Sequence, residues 1–249
     1  MEPYQKNLVL GAVLVAVIWG VTFSISRLFQ INRTKKLKRL MPDGWRYMGH
    51  EDEALRETLR RFPWFADRRG LYQTKDIFTT ADDESSSYLF EYRYTVNDGE
   101  GPSEERQSAF LCESPAFNAE LEIDYQPFSN LLKSEGVINV TRKYVLKSEI
   151  AEPLQPQTIA VLADHLNAFD DKCRIEVLPG AALITYQDYR ILGKGIPGSL
   201  EQWLTRLARL TVLPQYKRAE VEDVWPFQRA SSAIAETLLQ NGWAQESDR

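Results

Sequence analysis

The chain has 249 residues, 43% hydrophobic and 26% charged, which excludes collagen-like, coiled-coil-only and wholly disordered polymers. Thirty Lys and Arg against 35 Asp and Glu leave a net charge of −5, the opposite of the basic surface that duplex nucleic acid requires. Two cysteines, Cys112 and Cys173, are too few for a disulfide framework or a four-cysteine metal site.

The first element in chain order is apolar. Asn7 to Ser26 contains no charged side chain, and Leu8 to Ile25 reads LVLGAVLVAVIWGVTFSI. About 20 helical residues cover roughly the 30 Å hydrocarbon core of a bilayer, and this stretch has no polar face, so it predicts a transmembrane helix over 7–29. A cleaved signal peptide would want a positive start and a small-x-small site; here Glu2 offsets Lys6 and the apolar run continues to Arg27. Arg27, Arg33, Lys35, Lys36, Lys38 and Arg39 follow with no acid among them. The positive-inside rule then puts residues 1–6 outside and the C-terminal body in the cytoplasm, as a single-pass protein of the bacterial inner membrane. The same six side chains could also touch anionic lipid, each worth about 1 kcal/mol near a charged leaflet. Ala12, Ala16, Gly20 and Ser24 recur every four residues, a small-residue stripe along which a second helix could pack.

Residues 30–44 read as a basic linker closed by the turn Met41-Pro42-Asp43-Gly44. An α+β body over 45–213 follows, a soluble domain of antiparallel sheet with packed helices, with a possible internal division near residue 150. His50 to Phe62 has acids in its first turn and Arg60 and Arg61 in its last, which predicts a helix ended by Pro63. Tyr88 to Val96 alternates, with Tyr88, Phe90, Tyr92 and Tyr94 on one face and Glu91 and Arg93 on the other, which predicts a strand buried on its aromatic side. Gln107 to Glu113 is its expected antiparallel neighbour, and Asp76 to Thr80 a weaker strand before it. Leu121 to Tyr125 and Tyr144 to Leu146 are short strand candidates. Pro156 opens a helix to about Phe169. Arg174 to Leu178 and Ala182 to Ile191 form two strands around Pro179-Gly180. Ser199 and Gln202 cap a helix to about Val212. The tail, 214–249, carries Trp225-Pro226-Phe227 and a short helix over Ala230 to Leu239.

Several patterns resemble chemistry without supplying it. Gly193-Lys194-Gly195-Ile196-Pro197-Gly198 fits G-x-G-x-x-G, but Pro197 removes an amide where a phosphate would sit and no parallel strand with a terminal acid follows. Asp164 and His165 are adjacent on a helix, about 100° apart, and cannot share an ion as i, i+4 ligands do. Asp82-Asp83-Glu84 lacks the spaced oxygens of a calcium loop. Cys112 and Cys173 read as small buried hydrophobes. The aromatic strand could stack single-stranded bases, but an acidic body argues for packing under helices instead. No catalytic residue, cofactor or metal is therefore expected.

The N-terminal helix, the basic collar, LRETLRRFPWF (Leu55 to Phe65) and FEYRYTVNDGEG (Phe90 to Gly101) together resemble uncharacterised bacterial single-pass membrane proteins with a cytosolic α+β domain, over roughly Trp45 to Val212. The loop after Leu71 is more acidic than in that group. The resemblance implies an inner-membrane location and assigns no catalytic residue. The expected function is that of a membrane-anchored, non-enzymatic accessory or assembly subunit. Its partners are the lipid bilayer and other membrane subunits or a second copy, with no nucleic acid; the alternative is a membrane-tethered sensor or small-molecule-binding module.

Overall fold

In a computed structural model, the chain is described at residues 31–66, 72–81, 85–97, 102–125, 137–148, 154–168, 173–186 and 221–240, and at single helical positions between 13 and 28. Two compact units emerge, Met1–Pro42 and Asp43–Arg249.

In the first unit a continuous helix, α1, spans 31–39 and ends at the turn before Gly44, whose φ of +84° suits only a residue without Cβ. Among the described residues no helix is long and apolar enough to cross a membrane. This finding corrects the expected fold of an α+β body behind a transmembrane helix over 7–29, and with it the single-pass inner-membrane location. Among the described residues, the helical run 31–39 is polar rather than apolar. It carries Arg33, Lys35, Lys36, Lys38 and Arg39. Most of the apolar stretch 7–26 lies outside the described residues. The basic collar then has no established span to orient.

Among the described residues, the second unit is built on one nine-stranded antiparallel sheet. Its strands are β1 (Arg46–Gly49), β2 (Tyr72–Ala81), β3 (Ser86–Asn97), β4 (Pro102–Glu113), β5 (Leu121–Tyr125), β6 (Val137–Asn139), β7 (Tyr144–Ser148), β8 (Cys173–Leu178) and β9 (Ala181–Tyr186). The order across the sheet is β1-β2-β3-β4-β9-β8-β5-β7-β6. The β8–β9 hairpin, turned at Pro179 and Gly180 (φ +87°), therefore joins a β1–β4 meander to the β5–β7 group. The outermost strands, β1 and β6, have four and three residues, leaving little bare edge.

Short helices cover the aromatic face. Asp52 caps α2 (Glu53–Leu59) by accepting the Leu55 amide at 3.0 Å. Pro63 does not simply end this helical region. It opens a further turn, α3 (Pro63–Ala66), where its missing N–H costs nothing. Leu55, Leu59, Phe62 and Phe65 pack on Ile77, Phe90, Tyr92, Tyr94, Leu111 and Leu183 in one core cluster. At roughly 1.5–3 kcal/mol per fully buried large side chain, this cluster is a principal source of stability.

The other face is covered as well. Helices α4 (Pro156–Ala168) and α5 (Val221–Gln240) follow β7 and β9 in the chain, and Trp225 of α5 meets Phe78 at 5.2 Å and Trp45 at 5.9 Å, edge to face. α5 runs straight through Pro226 and starts nine residues before the expected Ala230. A mid-helix proline costs about 3 kcal/mol, and burial of Trp225, Phe227, Ile234 and Leu238 offsets it. Glu91, expected to face water, is only 3% exposed. The predicted helix over 199–212 and the glycine loop 193–198 lie outside the described residues.

Candidate functional site

Alternation within strands and register between them place one row of side chains across eight strands. It runs Thr79, Tyr88, Leu111, Leu183, Glu176, Glu122, Lys147, Val137, each directly opposite the next. Under α2 and α3 the row is mostly apolar. Beyond Leu183 it turns charged, and the neighbouring positions Arg174 and Asp124 extend the charge on the same face.

The charges form a connected network. Arg174 Nη2 lies 3.0 Å from Glu122 Oε1 and 2.6 Å from Glu176 Oε1, and its Nε lies 3.6 Å from Asp124 Oδ1. Lys147 Nζ donates to Asp124 Oδ2 at 2.6 Å and sits 3.8 Å from Glu122 Oε1. The Arg174 guanidinium also lies 5.4 Å from the ring centre of Trp64, which α3 holds over it. Trp64 in turn donates its indole N–H to the Tyr92 hydroxyl at 3.1 Å. Tyr92 donates to Gln107 Oε1 at 2.6 Å, and Gln107 donates to Tyr94 at 3.0 Å.

Burial and neighbours push the two β5 carboxyls apart. Burial raises Glu122 to about 7, helped by its hydrogen bond to Asp124 and that residue's charge, while Arg174 and Lys147 pull the other way. Burial also acts to raise Asp124, but the hydrogen bonds from Glu122 and Lys147 and the charge of Arg174 outweigh it and hold the carboxyl below its usual range. Burial likewise raises Glu176 despite Arg174. Lys147 is raised: burial opposes the shift, and the hydrogen bond and charge of Asp124 overcome it.

A cavity of about 410 Å³ opens beside this network. Its polar lining is Glu120, Glu122, Glu176, Lys147 and Ser148; Pro63, Val137 and Leu178 add apolar surface, and Leu121 and Val177, whose side chains are buried, complete the lining. The volume lies in the range of small-molecule sites.

The residues singled out by sequence sit elsewhere. Ala12 and Ala16 lie outside the described residues. Gly20 and Ser24 are exposed, and the Ser24 hydroxyl donates to the Gly20 carbonyl at 2.8 Å. Arg27, Lys35, Lys36, Lys38 and Arg39 are exposed, whereas Arg33 is buried, one turn from buried Leu37. Sequence reasoning missed Trp64, Glu122, Asp124, Lys147, Arg174 and Glu176. The signal was Glu-x-Asp and Arg-x-Glu around Ile123 and Ile175, charge and oil alternating on two short strands.

A second polar group lies at the β1 edge. Asp76, in the left-handed region at φ +47° where β2 bulges, is buried and accepts from the Tyr47 hydroxyl at 3.4 Å, with His50 Nδ1 3.7 Å away. Burial, with Asp76 beside it, raises Tyr47 to about 12. Among the described residues no group of three or more His, Cys, Asp or Glu side chains is placed to hold a metal ion. Both cysteines are buried and neither forms a disulfide.

No family model matches the chain, and no curated protein or solved structure shows significant similarity to it.

Proposed function

We propose that this protein is a non-catalytic binding module and that its β-sheet domain takes a small molecule in the cavity between α3 and strands β5, β7 and β8. The observation that carries this reading is the cavity itself, which sets apolar surface against ionisable side chains held in register by the sheet. Strands fix such groups more tightly than loops do, which favours recognition of one ligand shape. Burial of both thiols, which raises Cys173 to about 12, supports binding over thiol chemistry.

The test is ligand-induced stabilisation. A ligand that binds only the folded chain raises its melting temperature, by about 2.7 kcal/mol of stability at a hundredfold excess over Kd. A fragment screen that yields stabilisers whose contacts map to Leu178 and Lys147 supports the reading. A screen in which every stabiliser maps elsewhere rejects it.

One observation favours a second reading, general acid–base catalysis. Glu122 titrates near neutrality beside an ionised Asp124, as a proton donor beside a fixed charge does. Turnover of a cavity ligand that stops in Glu122→Gln would establish it, whereas ligand recovered unchanged leaves binding alone.

A further inference from the structure

We propose that the cavity's ligand is a small organic cation, an ammonium group on a short alkyl body. This rests on the reading of the cavity as a ligand site and names the chemistry of its occupant.

Charge provides the first argument. Glu120, Glu122, Asp124 and Glu176 outnumber Lys147 and Arg174 on and behind the polar wall. An anion entering here meets four carboxyl groups whose two cations are already engaged. A cation meets an acid excess in partly desolvated surroundings, where each charge counts for more than in water.

Shape provides the second. Lys147 is itself an ammonium on an alkyl stem, and it rests between Asp124 at 2.6 Å and Glu122 at 3.8 Å on the same wall. The site thus already accommodates this chemistry from within the chain. Pro63, Val137 and Leu178 supply the apolar surface for a ligand's methylenes, and Glu120, exposed at the rim, stands at the entrance.

Among the described residues, the groups facing Glu122 are Asp124 on its own strand, Lys147 on β7, Arg174 and Glu176 on β8 and Glu120 before β5; α3 contributes the uncharged Pro63 and Trp64. Glu122 holds a proton up to about pH 7 in the empty cavity. An arriving ammonium takes that proton's place, so uptake releases a proton near neutrality.

The experiment uses the full chain at pH 8 and three four-carbon probes of matched length: 1,4-diaminobutane, 1,4-butanediol and succinate. Calorimetry gives affinity, and amide chemical shifts at Val177 and Leu178 give location. The expected result is diamine binding at least about tenfold tighter than either other probe, with shifts at both amides. Glu122→Gln is expected to weaken the diamine about fivefold, and Lys147→Met, which removes the competing internal ammonium, to tighten it. The opposite responses of two variants separate ligand recognition from loss of fold. Succinate or butanediol binding in preference, or diamine binding that ignores both substitutions, overturns the cation assignment and leaves the cavity as a site for something else. Silence at both amides for all three probes and for a neutral fragment set removes the cavity reading too.

Discussion

Glu122 and Glu176 stand directly opposite each other on β5 and β8, and the Arg174 guanidinium bridges them at 3.0 and 2.6 Å. Two carboxylates in register repel unless a cation lies between them. Arg174→Met therefore leaves Glu176, 5% exposed, without its counter-charge, and should cost about 3 kcal/mol. Lys147→Met, at a side chain 41% exposed, should cost about 1 kcal/mol or less. Urea unfolding of the two variants checks this, and equal losses would contradict the bridging role.

The pH dependence of stability follows from the same pair of β5 carboxyls. Glu122 is raised from an ordinary 4.5 to about 7, so the folded chain holds this proton more tightly than the unfolded one. Its contribution is full below about pH 4.5, declines as pH rises to about 7 and is level above. With its half-exposed setting screened by water, this amounts to about 1 kcal/mol. Asp124 acts in the opposite sense at the acid end, because its lowered value adds stability above 3.8 that is lost as pH falls through the folded value. Glu122→Gln should flatten the decline between pH 5 and 7 in denaturant titrations while leaving the acid limb in place.

Tyr92 links the core to the charged face through its hydroxyl, which accepts from Trp64 and donates to Gln107. Tyr92→Phe keeps the ring but leaves a buried amide oxygen without this donor, which costs about 1–3 kcal/mol. Trp64 also loses its anchor over Arg174. Its fluorescence should shift to the red in the variant even where the chain remains fully folded.

Both thiols are shielded, Cys112 at 3% and Cys173 at 0% exposure. Burial drives Cys173 to about 12, against a lowering hydrogen bond with Tyr144. An aromatic disulfide reagent should label neither cysteine in the native protein and both in urea, with labelling in water limited by the rate of opening. Rapid native labelling of either would show that the faces are less well covered than described.

The β3 strand was legible because one of its faces is aromatic over four alternate positions, and only a sheet period places Tyr88, Phe90, Tyr92 and Tyr94 together. The burial of Glu91 was not, because nothing near that residue signals that its face of the strand is covered. β1 escaped notice since Arg46–Gly49 has neither alternation nor length and exists only as a partner for β2. The charged site was hidden for a related reason. Leu121–Tyr125 and Cys173–Leu178 each show half of it, and only pairing across 54 residues of chain makes Glu122 and Glu176 neighbours. The apolar opening stretch suggested a bilayer span from length and hydrophobicity alone, and most of it lies outside the described residues.

The late position of the β8–β9 hairpin has a consequence for biosynthesis. While the ribosome is still making residue 173, β4 and β5 each present a naked strand flank, and the insert that fits between them has not yet emerged. Such a nascent chain is adhesive. Two copies caught at this stage could trade hairpins, each donating its own into the gap of the other, which would yield an intertwined dimer of otherwise native halves.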